Sequence, residues 1–366
     1  MEIKKRINIK PVIQAILAAA LFGVSAPVAK LLVGEIPPVL LASLLYLGSG
    51  LGLSLYKIIQ NIYLPSSGRE ARLSRDDTFW LTGSILSGGV IAPIVLMFSL
   101  QNTTGATASL LLNFEGVATT IIAYFAFKES VNKRIWLAII SVTFASIILS
   151  LDLSGKFGLS IGAIGVLFAC ALWGIDNNFT RNISAKDPIA IARFKGFGAG
   201  FFSLLLALML GNKFPHIPVI CYALLLGCFS YGISFVLFVF ALRSLGAART
   251  SAFFGSAPFV GSALSFLILQ GSSNYLFFIS LPFMIAGTVL LLSEDHSHCH
   301  THDELEHEHI HNHDDEHHIH EHIVKIDNLK KFTHSHPHKH HPINHNHIHT
   351  PDIHHRHIHE KEIITK

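Results

Sequence analysis

Apolar residues fill the first 293 positions in long blocks, and polar residues are confined to the short gaps between them. Ten blocks can be counted, at approximately 12–33, 38–56, 79–100, 104–127, 135–151, 159–180, 188–211, 217–242, 248–270 and 275–293. A run of about twenty apolar residues has the length of a bilayer-spanning helix. Helix breakers stand at the joins, among them Gly34, Pro37-Pro38, Pro65, Gly155, Pro188, Pro215 and Gly271. The blocks are continuous and lack the strict alternation of a lipid-facing β-strand, so an all-helical membrane protein is expected.

The blocks repeat. Ala20-Leu21-Phe22-Gly23 in the first matches Ala171-Leu172-Trp173-Gly174 in the sixth. Pro38, Gly48 and Gly50 match Pro188, Gly198 and Gly200. From the third block on, a constant shift places Ser109 on Ser251 and Phe98-Ser99-Leu100 on Phe240-Ala241-Leu242. Five spans per copy is odd, so the second copy enters the membrane from the opposite side and the halves form an inverted repeat. The expected domains are residues 11–152 and 158–293 for the two five-helix repeats and 294–366 for a tail.

Charge sets the orientation. Residues 1–293 hold 20 Lys and Arg against 10 Asp and Glu. The bases collect in alternate connections: Lys4, Lys5, Arg6 and Lys10, then Lys57, Arg69, Arg72 and Arg75, then Lys128, Lys133 and Arg134, then Arg181 and Lys186, then Arg243 and Arg249. The other connections hold Lys30, Lys156 and Lys213. Positive residues stay inside, which places both termini in the cytoplasm and the protein in the cell (inner) membrane. The basic excess thus reports topology, and no nucleic-acid partner is expected.

Two five-helix copies, an Ala-Leu-(Phe/Trp)-Gly start and a fourth span reading Ala-Ser-Leu-Leu-Leu…Glu…Phe-Lys-Glu resemble the EamA-type branch of the drug/metabolite transporter superfamily. The resemblance covers about residues 11–293. It implies ten helices, cytoplasmic ends and a central cavity lined by the first four helices of each half. Members often carry Glu-Pro in the fourth and ninth spans. Here Glu115-Gly116 keeps the acid and Ala257-Pro258 keeps the proline.

Glu115 is the leading candidate for substrate or coupling chemistry. A carboxylate at that depth faces a bundle interior or a wet cavity and can exchange a proton for a cation. Asn113, two residues earlier, points elsewhere on a helix. Asp176 lies just before the join of the sixth and seventh spans and Arg193 just after it. At similar depth they read as a structural ion pair or as a gate or substrate contact. Trp173 and Phe22 occupy matched positions where either can line a cavity.

The tail holds 24 of the 25 histidines. Its expected metal ligands are His296, His298, Cys299, His300, His302, His307, His309, His311, His313, His317, His318, His320, His322, His334, His336, His338, His340 and His341. Imidazole suits zinc, nickel, cobalt and copper. The dense alternation reads as a disordered, multi-site chelator, since a closed zinc finger needs defined spacing.

No nucleotide-binding loop and no catalytic constellation occur, so neither an ATP-driven pump nor an enzyme is expected. The reading is a secondary transporter of small molecules, a metabolite or drug exporter working by alternating access, with no cofactor required for transport. A divalent-metal transporter or metal-sensing membrane protein is the alternative. Expected partners are membrane lipid, the small-molecule or ion substrate and transition-metal ions; a homodimer is compatible with the sequence.

Overall fold

The computed structural model describes residues 9–63, 70–127, 133–152, 158–269, 275–292, 297–302, 305–311, 334–340 and 343–348. Seven helices are long and apolar enough to cross a membrane: α1 (Lys10–Leu32), α2 (Pro38–Tyr63), α3 (Thr78–Gln101), α4 (Gly105–Ala126), α6 (Ile161–Ile183), α7 (Pro188–Met209) and α8 (Ile217–Arg243). Three further apolar helices, α5 (Lys133–Ser150), α9 (Ala257–Leu269) and α10 (Tyr275–Leu292), fall on the remaining predicted blocks. Helical backbone continues past α8 to Phe254. The chain nevertheless turns back there, because the Phe238 and Phe254 rings lie 4.9 Å apart. Sixteen residues of straight helix would separate them by about 24 Å.

The helix starts are written locally. Asp187 caps α7 by accepting from the Ile189 and Ala190 nitrogens at 2.9 and 3.3 Å, with Pro188 next in the first turn. Thr104 caps α4 through the Thr107 nitrogen at 3.1 Å, and Ser160 caps α6 through the Ala163 nitrogen at 3.4 Å. Between the halves, β1 (Leu151–Asp152) and β2 (Gly158–Leu159) pair antiparallel and close the connection into α6.

Packing partners cross between the halves. α1 packs on α8 and α9, and α6 packs on α3 and α4; α2 meets α7, α4 meets α9, and α5 meets α10. Exchanging the first five helices for the second five turns this set of pairings into itself. Ser141 of α5 donates to the Phe283 carbonyl of α10 at 2.9 Å, and these two residues are 142 positions apart. Glycines allow close crossings. A Cβ on Gly196 of α7 would lie 2.7 Å from the Gly50 nitrogen of α2, so no larger residue fits. One core cluster draws on both halves, with Leu41, Leu45, Leu96, Leu110, Val166 and Met284 buried. Large apolar side chains such as Phe125, Leu205, Leu267 and Phe278 face outward, as expected where the solvent is lipid.

Both α3 and α8 contain a seven-residue π-helical stretch, Ile85–Ile91 and Gly227–Ile233. The two stretches differ by the same 142 positions. In the first, the Ala92 nitrogen donates to Ser87, five residues back. Pro93 has no N–H to offer. The Gly88 carbonyl therefore loses its helical donor and is free for a side chain.

Four short segments of the tail are extended. β3 (Ser297–His302) pairs antiparallel with β6 (Ile343–Ile348), and β4 (Leu305–His311) with β5 (His334–His340). The alternation of histidine with other residues has the period of two that a strand requires. His296, His313, His317, His318, His320, His322 and His341 lie outside the described residues.

Candidate functional site

The functional groups converge where α1, α2, α4, α6, α7 and α8 meet. Two adjoining chambers share Phe22, Glu115, Asn177, Phe238 and Phe254 as walls. Both halves contribute, and Phe22 and Trp173, matched in the sequence repeat, both line the first chamber.

Glu115 lies in the first turn of the second segment of α4, just after a break at Leu112 and Asn113. Its Oε1 accepts from Asn177 Nδ2 of α6 at 2.8 Å, and the same nitrogen lies 3.2 Å from Thr119 Oγ1. Among the described residues no donor meets Oε2. Asn113 is buried and lines the second chamber, but its Nδ2 has no partner there, nor does Ser109 Oγ beside it.

Asp176 does not pair with Arg193. Its Oδ2 accepts from Lys195 Nζ, and its Oδ1 accepts from Ser84 Oγ and from Thr180 Oγ1, the latter at 3.1 Å. The geometry explains the exchange of partners. Asp176 lies seven residues before the end of α6 and Lys195 seven after the start of α7, so they share a depth. Arg193 is two residues earlier, about 200° around the helix, and its Nε donates to Ser54 Oγ of α2 at 3.0 Å. Both members of the pair are buried, with side chains 4 and 6 % exposed. Lys195 Nζ also stands 4.8 Å from the Phe235 ring centroid. The pair is thus neutralised and solvated by protein groups.

The freed Gly88 carbonyl accepts from Tyr46 Oη at 2.6 Å and from Trp173 Nε1 at 3.0 Å. Two aromatic side chains from opposite halves are held on the cavity wall by one backbone oxygen. Around them the rings form a chain. Phe22 meets Trp173 at 6.0 Å, Tyr231 at 6.0 Å and Phe254 at 5.2 Å, and Tyr46 meets Tyr231 at 5.3 Å. A packed aromatic wall beside a carboxyl group can hold an amphipathic organic molecule and fix its orientation.

The family model for EamA-like transporters matches residues 9–151 and again residues 160–293. This chain belongs to the EamA-like transporter family. An uncharacterized transporter of Methanothermobacter thermautotrophicus is 29 % identical over 293 residues, covering 76 % of this chain and 85 % of that protein. The uncharacterized transporter YetK of Bacillus subtilis is 24 % identical over 282 residues, covering 74 % and 83 %. A solved crystal structure superposes with a TM-score of 0.58 at 15 % identity, covering 76 % of this chain and 94 % of that one. That likeness is one of fold. The EamA match and the seven apolar helices make this a multi-pass membrane protein of a transporter family.

Within this EamA chain, Glu115, Asp176 and Trp173 come together at the cavity, Asn113 lines its second chamber, and Arg193 of α7 stands apart, bonded to Ser54 of α2. Lys195, Asn177, Ser84, Tyr46, Tyr231 and Phe254 complete the site. Of these, Tyr46, Tyr231 and Phe254 carried no signal in one dimension, because an aromatic residue in an apolar run looks the same whether it faces lipid, core or cavity. Lys195 did carry one, as a charge inside a span. Among the described residues no three His, Cys, Asp or Glu side chains gather as a metal ion requires.

Proposed function

We propose that the chain is a secondary transporter that moves a small organic molecule, outward, by alternating access of the central cavity. The observation that carries this reading is the half-buried Glu115 on a cavity wall shared by the two halves. Ten spans in two inverted repeats is the architecture that goes with it. Its support is the family model's two separate matches, the self-mapping helix pairings and the paired π-helical stretches. An 18-residue helix such as α5 rises about 27 Å, close to the hydrocarbon thickness of about 30 Å. Two such repeats, related by inversion, have inward-open and outward-open packings of similar energy. Glu115 couples the cycle by releasing a proton when the solute arrives. The inner-membrane location and cytoplasmic termini follow from the bases in alternate connections. The tail, with its regular histidines, binds zinc, nickel, cobalt or copper from the cytoplasm and adjusts the carrier to metal supply.

Labelling tests the reading. A single cysteine at Asn113, with the native cysteines replaced, should react with an impermeant maleimide in right-side-out and in inverted vesicles alike. Reaction from one side only, under every ion gradient, would refute alternating access.

A further inference from the structure

The walls of the cavity define a narrower class of ligand than the fold does, and the inference rests on the carrier reading above. Three carboxyl or amino side chains line the chambers: Glu115, Asp176 and Lys195. Asp176 and Lys195 are spent on each other, and Asp176 is further held by Ser84 and Thr180. Lys195 is also stacked against Phe235 and is not free to receive an anion. Among the described residues Glu115 is the one of the three without an ionic partner, and its Oε2 is open to a cation once the carboxyl has lost its proton. The space beside it is open too, since a Cβ added to Gly116 would meet nothing within 4 Å.

The other walls are ring faces. Phe22 touches Trp173, Tyr231 and Phe254, and Phe254 touches Phe238. The faces of aromatic rings are negative and attract a cation that has left water. A metal ion would need several more oxygen or nitrogen ligands than one carboxylate and one amide supply. An organic cation needs no more than one counter-charge and the rings.

We infer that the two chambers form a binding site for a small organic monocation, an alkyl- or arylammonium group, with Glu115 as its counter-ion and Phe22, Trp173, Tyr231 and Phe254 as its walls. The cation replaces the Asn177 amide as the principal partner of the carboxylate, and its apolar part fills the ring-lined chamber. Glu115 sets the sign of the charge accepted, and Phe22, at the centre of the ring contacts, sets the size.

Calorimetry on the full-length protein in detergent separates charge from shape. The probes are benzyltrimethylammonium and benzylsulfonate, which share a ring and a bulky head but carry opposite charge. The expected result is saturable binding of the ammonium at pH 7.5 and none of the sulfonate. Glu115→Gln should weaken ammonium binding at least tenfold, Glu115→Asp should retain the preference for the cation, and Phe22→Leu should weaken binding without changing that preference. Equal binding of the two probes, no binding of the ammonium, or full binding by Glu115→Gln would overturn the inference. If Asn113 is labelled from both sides while the ammonium fails to bind, the inference falls and the carrier reading stands. Cation binding by a protein labelled from one side only supports the site and overturns the carrier reading.

Discussion

Arg243 grips Glu70 with one nitrogen, Nη1 donating to both carboxylate oxygens at 3.1 and 2.9 Å. The contact joins the end of α8 to the connection between α2 and α3, and so ties one half of the protein to the other. Arg243 Nη2 also donates to the carbonyls of Lys186 at 2.8 Å and Ser184 at 3.3 Å, in the connection between α6 and α7. The Asp187 nitrogen donates to the Ala71 carbonyl at 2.9 Å, and Lys57 lies 3.8 Å from Asp187. Two connections and the end of α8 are thereby clasped around one guanidinium.

Removing the guanidinium should loosen that end. Arg243→Gln leaves a half-buried carboxylate without its cation and two carbonyls without a donor, a cost of about 1–3 kcal/mol. Thermal unfolding at pH 7 should show a lower midpoint. The double variant Arg243→Gln with Glu70→Gln should recover part of the loss. A double variant no better than the single one would show that the carbonyl contacts, not the ion pair, hold the clasp.

The clasp also has a pH signature. Burial pushes the Glu70 carboxyl above its ordinary range, and Arg243 opposes the shift. A raised value in the folded protein means that the folded state holds the proton more tightly. The contribution of Glu70 to stability is therefore fully present below its ordinary value and declines as pH rises through the raised one. Arg243→Gln removes the opposing cation and should extend this decline to higher pH. Unfolding midpoints from pH 4 to 8 measure it; an unchanged difference between wild type and variant would sink the assignment to Glu70.

The buried pair of α6 and α7 should behave asymmetrically. Lys195→Met strands the Asp176 carboxylate in the core and should cost about 3–5 kcal/mol, as broken buried pairs do. Asp176→Asn with Lys195→Met removes both charges and should recover most of that. Denaturation of the three variants in detergent gives the comparison, and a double variant less stable than Lys195→Met would mean that the pair is not the unit.

The Gly88 carbonyl gives a finer test. Tyr46→Phe or Trp173→Phe alone leaves it one donor and should cost about 1 kcal/mol. Both together leave a buried carbonyl with no donor, so the double variant should cost more than the sum. Strict additivity would show that a backbone donor replaces the side chains.

Topology and the tail can be read in cells. A reporter fused after Ser293 should appear cytoplasmic, and reporters at Lys156 or Lys213 should appear on the other face. Truncation after Ser293 should leave the helical body folded and lower the zinc or nickel bound by the purified chain. Its metal content equal to that of the full chain would exclude the tail as the chelator.

The hydrophobic pattern alone determined the helices and most of their boundaries, because a span must satisfy its own backbone in lipid and its length is set by the bilayer. The shift that aligns Ser109 with Ser251 in the sequence is also the spacing between the π-helical stretches and between Ser141 and Phe283. Glu115 was legible too, since an ionisable group inside an apolar run stands out with no knowledge of its neighbours. Tertiary structure alone decided who the partners are. Asp176 chose Lys195 over Arg193 because two residues of helix turn a side chain to another face, and only the packing of α6, α7 and α2 says which face is met. Phe22, Tyr46, Tyr231 and Phe254 became a cavity wall for the same reason, as α1, α2, α8 and the segment that follows α8 had to meet before their rings could touch. Glu70 and Arg243 are 173 positions apart, and no local periodicity reaches that far; the clasp exists because the helices between them return the chain to the same end of the bundle.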